Sequence, residues 1–136
     1  MIDMTKTQAL NSFWNNFGIP AYEESSVPDE IWDKSEQKMI PLEMPYITYN
    51  VATGKLEDTV LLSASLWYHE TSWKNIELKA DEIAEAIGKQ GYYIARIDDG
   101  YLYIRQGVPF AQRMSDENPD VRRIYLNIVV EYLTAY

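Results

Sequence analysis

The side chain best suited to acid–base chemistry near neutral pH occurs once in this chain, as His69. A catalytic histidine needs a nucleophile and an orienting group beside it, and a zinc site needs several ligands. Ser63 and Ser65 lie nearby in sequence, but residues of one strand do not converge as nucleophile and base. The chain has no cysteine, which excludes disulfides and thiolate metal sites. We therefore interpret His69 as a strand-end histidine with an ordinary hydrogen bond.

Neighbouring carboxylates are the second candidate for chemistry. They occur as Glu23-Glu24, Asp98-Asp99 and Asp116-Glu117. Glycoside hydrolysis requires two carboxyl groups held across a cleft, whereas neighbours in sequence usually point apart. Asp98 and Asp99 precede Gly100 and are better explained by a turn. The glycines form no phosphate-binding loop, and no acidic stretch has calcium-loop spacing. We predict that the protein is not an enzyme and has no metal or cofactor.

The charge balance limits the possible partners. Twelve basic and twenty-one acidic residues give a net charge of −9, which repels nucleic acid at long range. This disfavours a sequence-specific DNA binder but suits a protein that DNA must slide past. A small group of arginines (Arg105, Arg113, Arg122 and Arg123) is expected to be solvated or ion-paired. We see no signal peptide and no apolar run long enough to span a membrane.

Hydrophobic periodicity predicts the elements of the N-terminal half. A helix is expected from Thr5 or Thr7 to Gly18, because Leu10, Phe13, Trp14 and Phe17 form one apolar stripe. Ala21–Glu43 shows no lasting period, so we predict a loop-like segment with a short turn at Pro28–Asp33. Tyr46–Val51 and Thr59–Tyr68 are predicted strands. In the second, Val60, Leu62, Ala64, Leu66 and Tyr68 should face the core.

The C-terminal half is predicted to contain a second helix and three strands. The helix should begin at a cap on Thr71 or Ser72 and end at Gly88. Its buried stripe is predicted to be Trp73, Ile76, Ala80, Ile83, Ala84 and Ile87. The strands are Tyr92–Ile97, Tyr101–Gln106 and Asp120–Leu133, with a loop at Val108–Pro119.

Together these elements predict an α+β fold in one domain, residues 1–136. We expect a single, mostly antiparallel sheet with two main helices packed on it, in the order α-β-β-α-β-β-β. Glu77, Asp81 and Glu85 would share a second face of the later helix. A solvated face is the simpler interpretation of this stripe. The alternative is a surface that lines a channel for DNA.

Several segments carry a resemblance to one family. They are Pro45-Tyr46-Ile47-Thr48-Tyr49, Leu62-Ser63-Ala64-Ser65-Leu66-Trp67-Tyr68, Ser72-Trp73, the helix with Ala80, Asp81, Ile83 and Ala84, Arg105-Gln106-Gly107-Val108-Pro109-Phe110-Ala111-Gln112 and Arg123-Ile124-Tyr125-Leu126-Asn127. In this order they resemble the tail terminator proteins of long-tailed bacteriophages, also called tail completion or minor capsid proteins. The resemblance runs from about Ala9 to the C-terminus.

The resemblance implies a structural virion protein, assembled in the host cytoplasm. It would form a homo-oligomeric ring, typically of six subunits, at the head-proximal end of the tail. The ring would stop polymerisation of the major tail tube protein and form the tail side of the head–tail joint. Its other partner would be a head–tail connector or head-completion protein. DNA would pass through without specific binding, and no membrane would be involved.

A head-to-tail ring needs two different patches on each subunit. The candidate interface residues are Trp32, Tyr46, Tyr49, Thr53, Gly54, Lys55, Leu56 and Tyr125, and the candidate lumen residues are Glu77, Asp81 and Glu85. Two alternatives remain open. One is a head-completion or connector protein, and the other is a small ligand-binding or enzymatic α+β protein.

Overall fold

A curled six-stranded sheet organises the chain. The computed structural model describes residues 5–51, 59–88, 91–98 and 100–134. In chain order the elements are α1 (Lys6–Trp14), β1 (Ala21–Glu23), β2 (Glu30–Asp33), β3 (Lys38–Pro41), β4 (Tyr46–Tyr49), β5 (Thr59–Tyr68), α2 (Lys74–Gly88), β6 (Tyr93–Ile97), β7 (Gly100–Met114) and β8 (Arg122–Thr134).

The sheet is mixed, with the strand order β1-β4-β5-β8-β7-β6. Strand β1 joins β4 in parallel, with Ala21 opposite Ile47, and the other neighbours are antiparallel. Strands β2 and β3 form a separate antiparallel ribbon. The predicted fold class is therefore wrong: the protein is mostly β, with a mixed sheet and a second small sheet.

The error lies in Ala21–Glu43, which we predicted to be loop-like. This segment contains three strands of three or four residues each. In strands this short, the alternation of side chains repeats too few times to be recognised. The prolines of the segment interrupt the pattern further. Strands β1 to β3 consequently went unpredicted, and the predicted element order failed with them.

The pairing of β5 with β8 is the longest unbroken register between two strands. It runs from Thr59 opposite Glu131 to Tyr68 opposite Arg122. The predicted inward face of β5 is largely confirmed, since Leu62, Ala64, Leu66 and Tyr68 are buried and Val60 is partly buried. The inward residues of β8 (Ile124, Leu126, Ile128, Val130 and Tyr132) are also buried.

Both helices contribute to this core. Helix α1 begins with a capping box, in which the Gln8 amide donates to Thr5 Oγ1 and the Thr5 amide donates to Gln8 Oε1. Its buried residues include Leu10, Phe13 and Trp14, as predicted. Helix α2 buries Ile76, Ala80, Ile83 and Ile87, which confirms four residues of its predicted stripe; the other two, Trp73 and Ala84, are partly buried.

Strand β7 continues well beyond its predicted end at Gln106. The predicted loop at Val108–Pro119 is wrong in its first half, because the strand extends to Met114. The β7–β8 register shifts between Gln106 and Ala111, and Asn127 Nδ2 donates to the Pro109 carbonyl inside this bulge at 3.0 Å. A bulge breaks the alternation of side chains, which is why the sequence pattern is typical of a loop there.

Gly107 makes the bulge sterically possible. A Cβ atom at this position would lie 2.8 Å from Asn127 Cβ and 3.0 Å from the Asn127 carbonyl oxygen. Because part of this obstacle is backbone, β8 cannot move aside without losing ladder hydrogen bonds.

We expect Gly107→Ala to lower the free energy of unfolding by about 1–3 kcal/mol, the usual cost of overpacking. Urea unfolding followed by circular dichroism measures this change. Gly88→Ala is the matched control, since its Cβ would meet only the flexible end of Gln106 at 3.0 Å. Equal losses for the two variants would contradict this account of the bulge.

Tyr49 ties α1 to the sheet. It is 2% exposed, its ring stacks on Trp14, and its hydroxyl donates to Asn11 Oδ1 at 2.6 Å. Burial raises the pKa of Tyr49, and the nearby charge of Glu23 raises it further. The protonated phenol therefore stabilises the fold below the unfolded pKa of about 10, and this stability is lost as the pH rises through the higher folded pKa.

We expect Tyr49→Phe to cost about 1 kcal/mol near pH 8, because the hydrogen bond to Asn11 is lost. Between about pH 8 and pH 10.5 the variant should then lose less stability than the unaltered protein, since one perturbed phenol is missing. Urea unfolding at both pH values checks this, with the exposed Tyr92 changed to Phe as the control. An equal alkaline loss in all three proteins would contradict the role of Tyr49.

Candidate interaction face

In the part of the chain that the structure describes, no helix packs on one face of the sheet. We call this surface the open face; the helices pack against the other side, in the core. The strand register places Tyr46, Trp67, Arg123 and Met114 in one row across β4, β5, β8 and β7. The next row contains Thr48, Ser65, Tyr125 and Gln112. Aromatic and arginine side chains of this kind are enriched at protein interfaces.

Arg123 is held in one orientation at the centre of the open face. Its Nε donates to Ser65 Oγ at 3.0 Å, and its guanidinium carbon lies 4.6 Å from the ring centre of Trp67. The ring of Tyr125 lies on the same cation at 5.8 Å. Trp67 is itself fixed, because its Nε1 donates to Thr48 Oγ1 at 2.9 Å. A charged group positioned in this way loses little conformational entropy when it binds.

The open face has a depression beside Arg123. This depression has a volume of about 460 Å³, and its floor is polar. It is lined by Glu24, Thr48, Asn50, Ser63, Ala64, Ser65, Trp67, Arg123 and Tyr125. Asn50 Nδ2 donates to Ser63 Oγ, and the Ser63 amide donates to Asn50 Oδ1, both at 2.9 Å. The floor is therefore internally hydrogen-bonded, and Arg123 is its charged donor.

Arg123 differs from the other arginines of its predicted group. Arg105 pairs with Glu131 at 2.8 Å, and Arg113 pairs with Glu77. Arg122 lies on the opposite side of β8 and donates to the carbonyls of Thr71, Pro119 and Val121. Within the described ranges, Arg123 has no carboxylate within ion-pair distance, so its terminal nitrogens can donate hydrogen bonds to an external anion. The prediction that the group is solvated or ion-paired thus holds for Arg105 and Arg113.

The ribbon of β2 and β3 forms a second unusual surface. We call residues 30–41 the arm. Trp32 lies opposite Met39, and they are 57% and 51% exposed. Asp33 begins the tip, where its Oδ1 accepts hydrogen bonds from the Ser35 amide and hydroxyl, and these bonds lower the pKa of Asp33. The arm therefore has a locally stabilised turn and an apolar surface that faces solvent.

The structure separates the predicted interface residues. Tyr46 and Tyr125 lie on the open face, and Trp32 lies on the arm. Tyr49 is buried in the core, so it is not available to a partner in this conformation. The remaining candidates, Thr53, Gly54, Lys55 and Leu56, lie outside the described residues.

The predicted lumen residues lie on α2. Glu77 accepts from Arg113 Nε at 2.8 Å, and the Arg113 guanidinium lies 4.5 Å from the ring centre of Trp73. Asp81 and Glu85 are exposed. Because Arg113 neutralises Glu77, the acidic stripe carries less negative charge than its sequence indicates.

His69 is exposed at the end of β5. It borders a depression of about 500 Å³ with Leu42, Glu43, Met44 and Tyr46. Among the residues that the structure describes, no group of histidine and carboxylate side chains could hold a metal ion. No helix in those same ranges is long and apolar enough to cross a membrane.

Sequence reasoning missed Trp67, Ser65 and Arg123 as members of one site. The alternation in β5 and β8 placed each residue on a face of its own strand, but it gave no pairing between the strands. A register that puts Trp67 opposite Arg123 and Ser65 opposite Tyr125 brings the three together. One signal was available in the sequence. The outward faces of the two strands carry the aromatic residues Trp67 and Tyr125 beside polar ones, whereas a fully solvated face would be polar throughout.

Comparisons with known proteins add no further information. No protein-family model matches the chain, and searches of curated proteins and of solved structures also find no match. The resemblance to tail terminator proteins therefore stays a prediction. The open face and the arm provide the geometric basis for a functional proposal.

If the open face serves binding, Arg123 should matter little for folding. We expect Arg123→Ala to lower the free energy of unfolding by about 1 kcal/mol, because it loses one hydrogen bond and partly exposed cation–π contacts. Leu126→Ala is the comparison variant on the same strand. Leu126 is fully buried, and its truncation should lower the free energy of unfolding by about 2–5 kcal/mol. Urea unfolding compares the two, and equal losses would assign Arg123 to the folding core.

Proposed function

We propose that this protein is a structural virion component of a long-tailed bacteriophage. It forms a homo-oligomeric ring, typically of six subunits, that caps the head-proximal end of the tail tube. The ring stops polymerisation of the major tail tube protein and gives the head–tail connector a surface to join. The role is passive: the protein makes and breaks no covalent bond.

The observation that carries this proposal is that one subunit has two solvent-accessible surfaces of different chemistry. The open face presents a fixed cation among aromatic rings, and the arm presents Trp32 and Met39 to solvent. A ring with head-to-tail contacts requires two unlike patches on each subunit, whereas a two-fold dimer requires a single self-complementary patch. The family resemblance of the sequence points to the same kind of assembly.

The charge of the chain also suits a passage for DNA. The net charge of −9 opposes retention of a polyanion. Asp81 and Glu85 are exposed on α2, and Arg113 is paired with Glu77. We assign the α2 side to the lumen on this basis, so that passing DNA meets the exposed carboxylates of Asp81 and Glu85.

We expect the purified protein to form rings whose mass increases with concentration. Size-exclusion chromatography with light scattering measures the mass, and negative-stain electron microscopy shows the shape. Deletion of the gene from its phage should yield tails of uncontrolled length without heads, and a plasmid copy should restore normal particles. Tails of normal length that are joined to heads in the deletion strain would refute the proposal.

The same deletion strain distinguishes a head-completion protein. If the protein acts on the head, finished tails should accumulate beside heads that have lost their DNA. For the enzymatic alternative, we expect His69→Ala to complement the deletion fully, because the passive role uses no acid–base group. Loss of complementation by a correctly folded His69→Ala protein would favour a catalytic role.

A further inference from the structure

The exposed side of the arm has a specific chemical pattern. Side chains alternate along a strand, so Glu30 shares one side with Trp32, and their partners on β3 are Pro41 and Met39. All four residues are exposed, whereas Ile31 and Ile40 on the other side are partly buried. The arm thus presents a carboxylate and an indole on one side of β2, from residues whose Cα atoms lie about 7 Å apart.

The open face offers the complementary pattern. Arg123 has terminal nitrogens without a carboxylate partner among the described residues, and Trp67 and Tyr125 flank it. Met114 lies in the same row as Arg123 and is 39% exposed. A guanidinium fixed through its Nε keeps its outer edge free for two parallel hydrogen bonds to a carboxylate.

We propose that the arm of one subunit docks on the open face of the next. This inference rests on the proposed ring and deepens it by naming the interface. The Glu30 carboxylate pairs with Arg123 of the neighbouring copy. Trp32 and Met39 cover the aromatic rings that surround that arginine.

Charge complementarity identifies a second copy as the occupant. The protein is strongly acidic, so most contacts between two copies are repulsive at long range. Arg123 is a place on the open face where the Glu30 carboxylate of a neighbouring copy is attracted. The subunit's own arm does not fill this position, because Trp32 and Met39 remain more than half exposed.

A charge-reversal cycle tests the pairing. We expect E30R and R123E each to weaken self-association at least tenfold, because each places like charges in contact. The double variant should recover most of the wild-type association. E36R is the matched control, since Glu36 carries the same charge at the arm's tip but pairs only with Lys38 on a well-exposed surface. Light scattering over a concentration series gives the association constants, and circular dichroism verifies folding.

Disulfide trapping gives a second, independent measurement. The protein has no cysteine, so a mixture of M39C and Q112C contains one thiol per chain, each at an exposed position. We expect the mixed disulfide to dominate over either homodimer under mild oxidation. L78C, at an exposed position of α2, replaces Q112C in the control and should give little mixed product.

The outcomes separate the two proposals. Rings that persist in E30R and R123E, without the mixed disulfide, would overturn the arm docking and leave the ring intact. A wild-type protein that stays monomeric at every concentration would overturn both. If the double variant does not recover, the mixed disulfide between M39C and Q112C decides: its dominance supports the docking, and its absence overturns it.

Discussion

The structure depends on the ten-residue register between β5 and β8. This ladder lies in the middle of the sheet, and both strands alternate inward and outward residues over their whole length. A slip of β8 by one residue against β5 would bring Arg123 and Tyr125 to the side of the helices and expose Ile124 and Leu126. Because burial of the apolar face strongly opposes such a slip, the same interaction that forms the core also assembles the open face.

This coupling explains how the sheet that forms the core also presents a specific surface. The rows on the open face are built by hydrogen bonds from Arg123 to Ser65 and from Trp67 to Thr48, each across neighbouring strands. A partly aromatic surface on which Arg123 has no carboxylate partner among the described residues suits recognition of another protein.

The parts of the fold that the sequence predicted are those with long periodic patterns. Helix α2 and strand β5 were predicted almost to the residue, since each repeats its pattern several times. The arm was not predicted, because strands of four residues contain too few repeats. The second half of β7 was hidden by the bulge after Gln106, where alternation is lost. Within the candidate site, Tyr46 and Tyr125 were predicted from exposed strand faces and Trp32 from its hydrophobic character, and their role stays a prediction, whereas Arg123 required a register that only tertiary pairing supplies.

The parallel pairing of β1 with β4 has a consequence for how this chain can diverge. Parallel neighbours require a connection that returns along the full strand length, so the segment between β1 and β4 is fixed to the sheet at both of its ends. This segment is longer than the return requires, and its additional residues form the arm. Substitutions, insertions or deletions there leave the ladder of the main sheet unchanged. Related chains could therefore acquire new binding preferences by altering this one segment while they retain the same folded body.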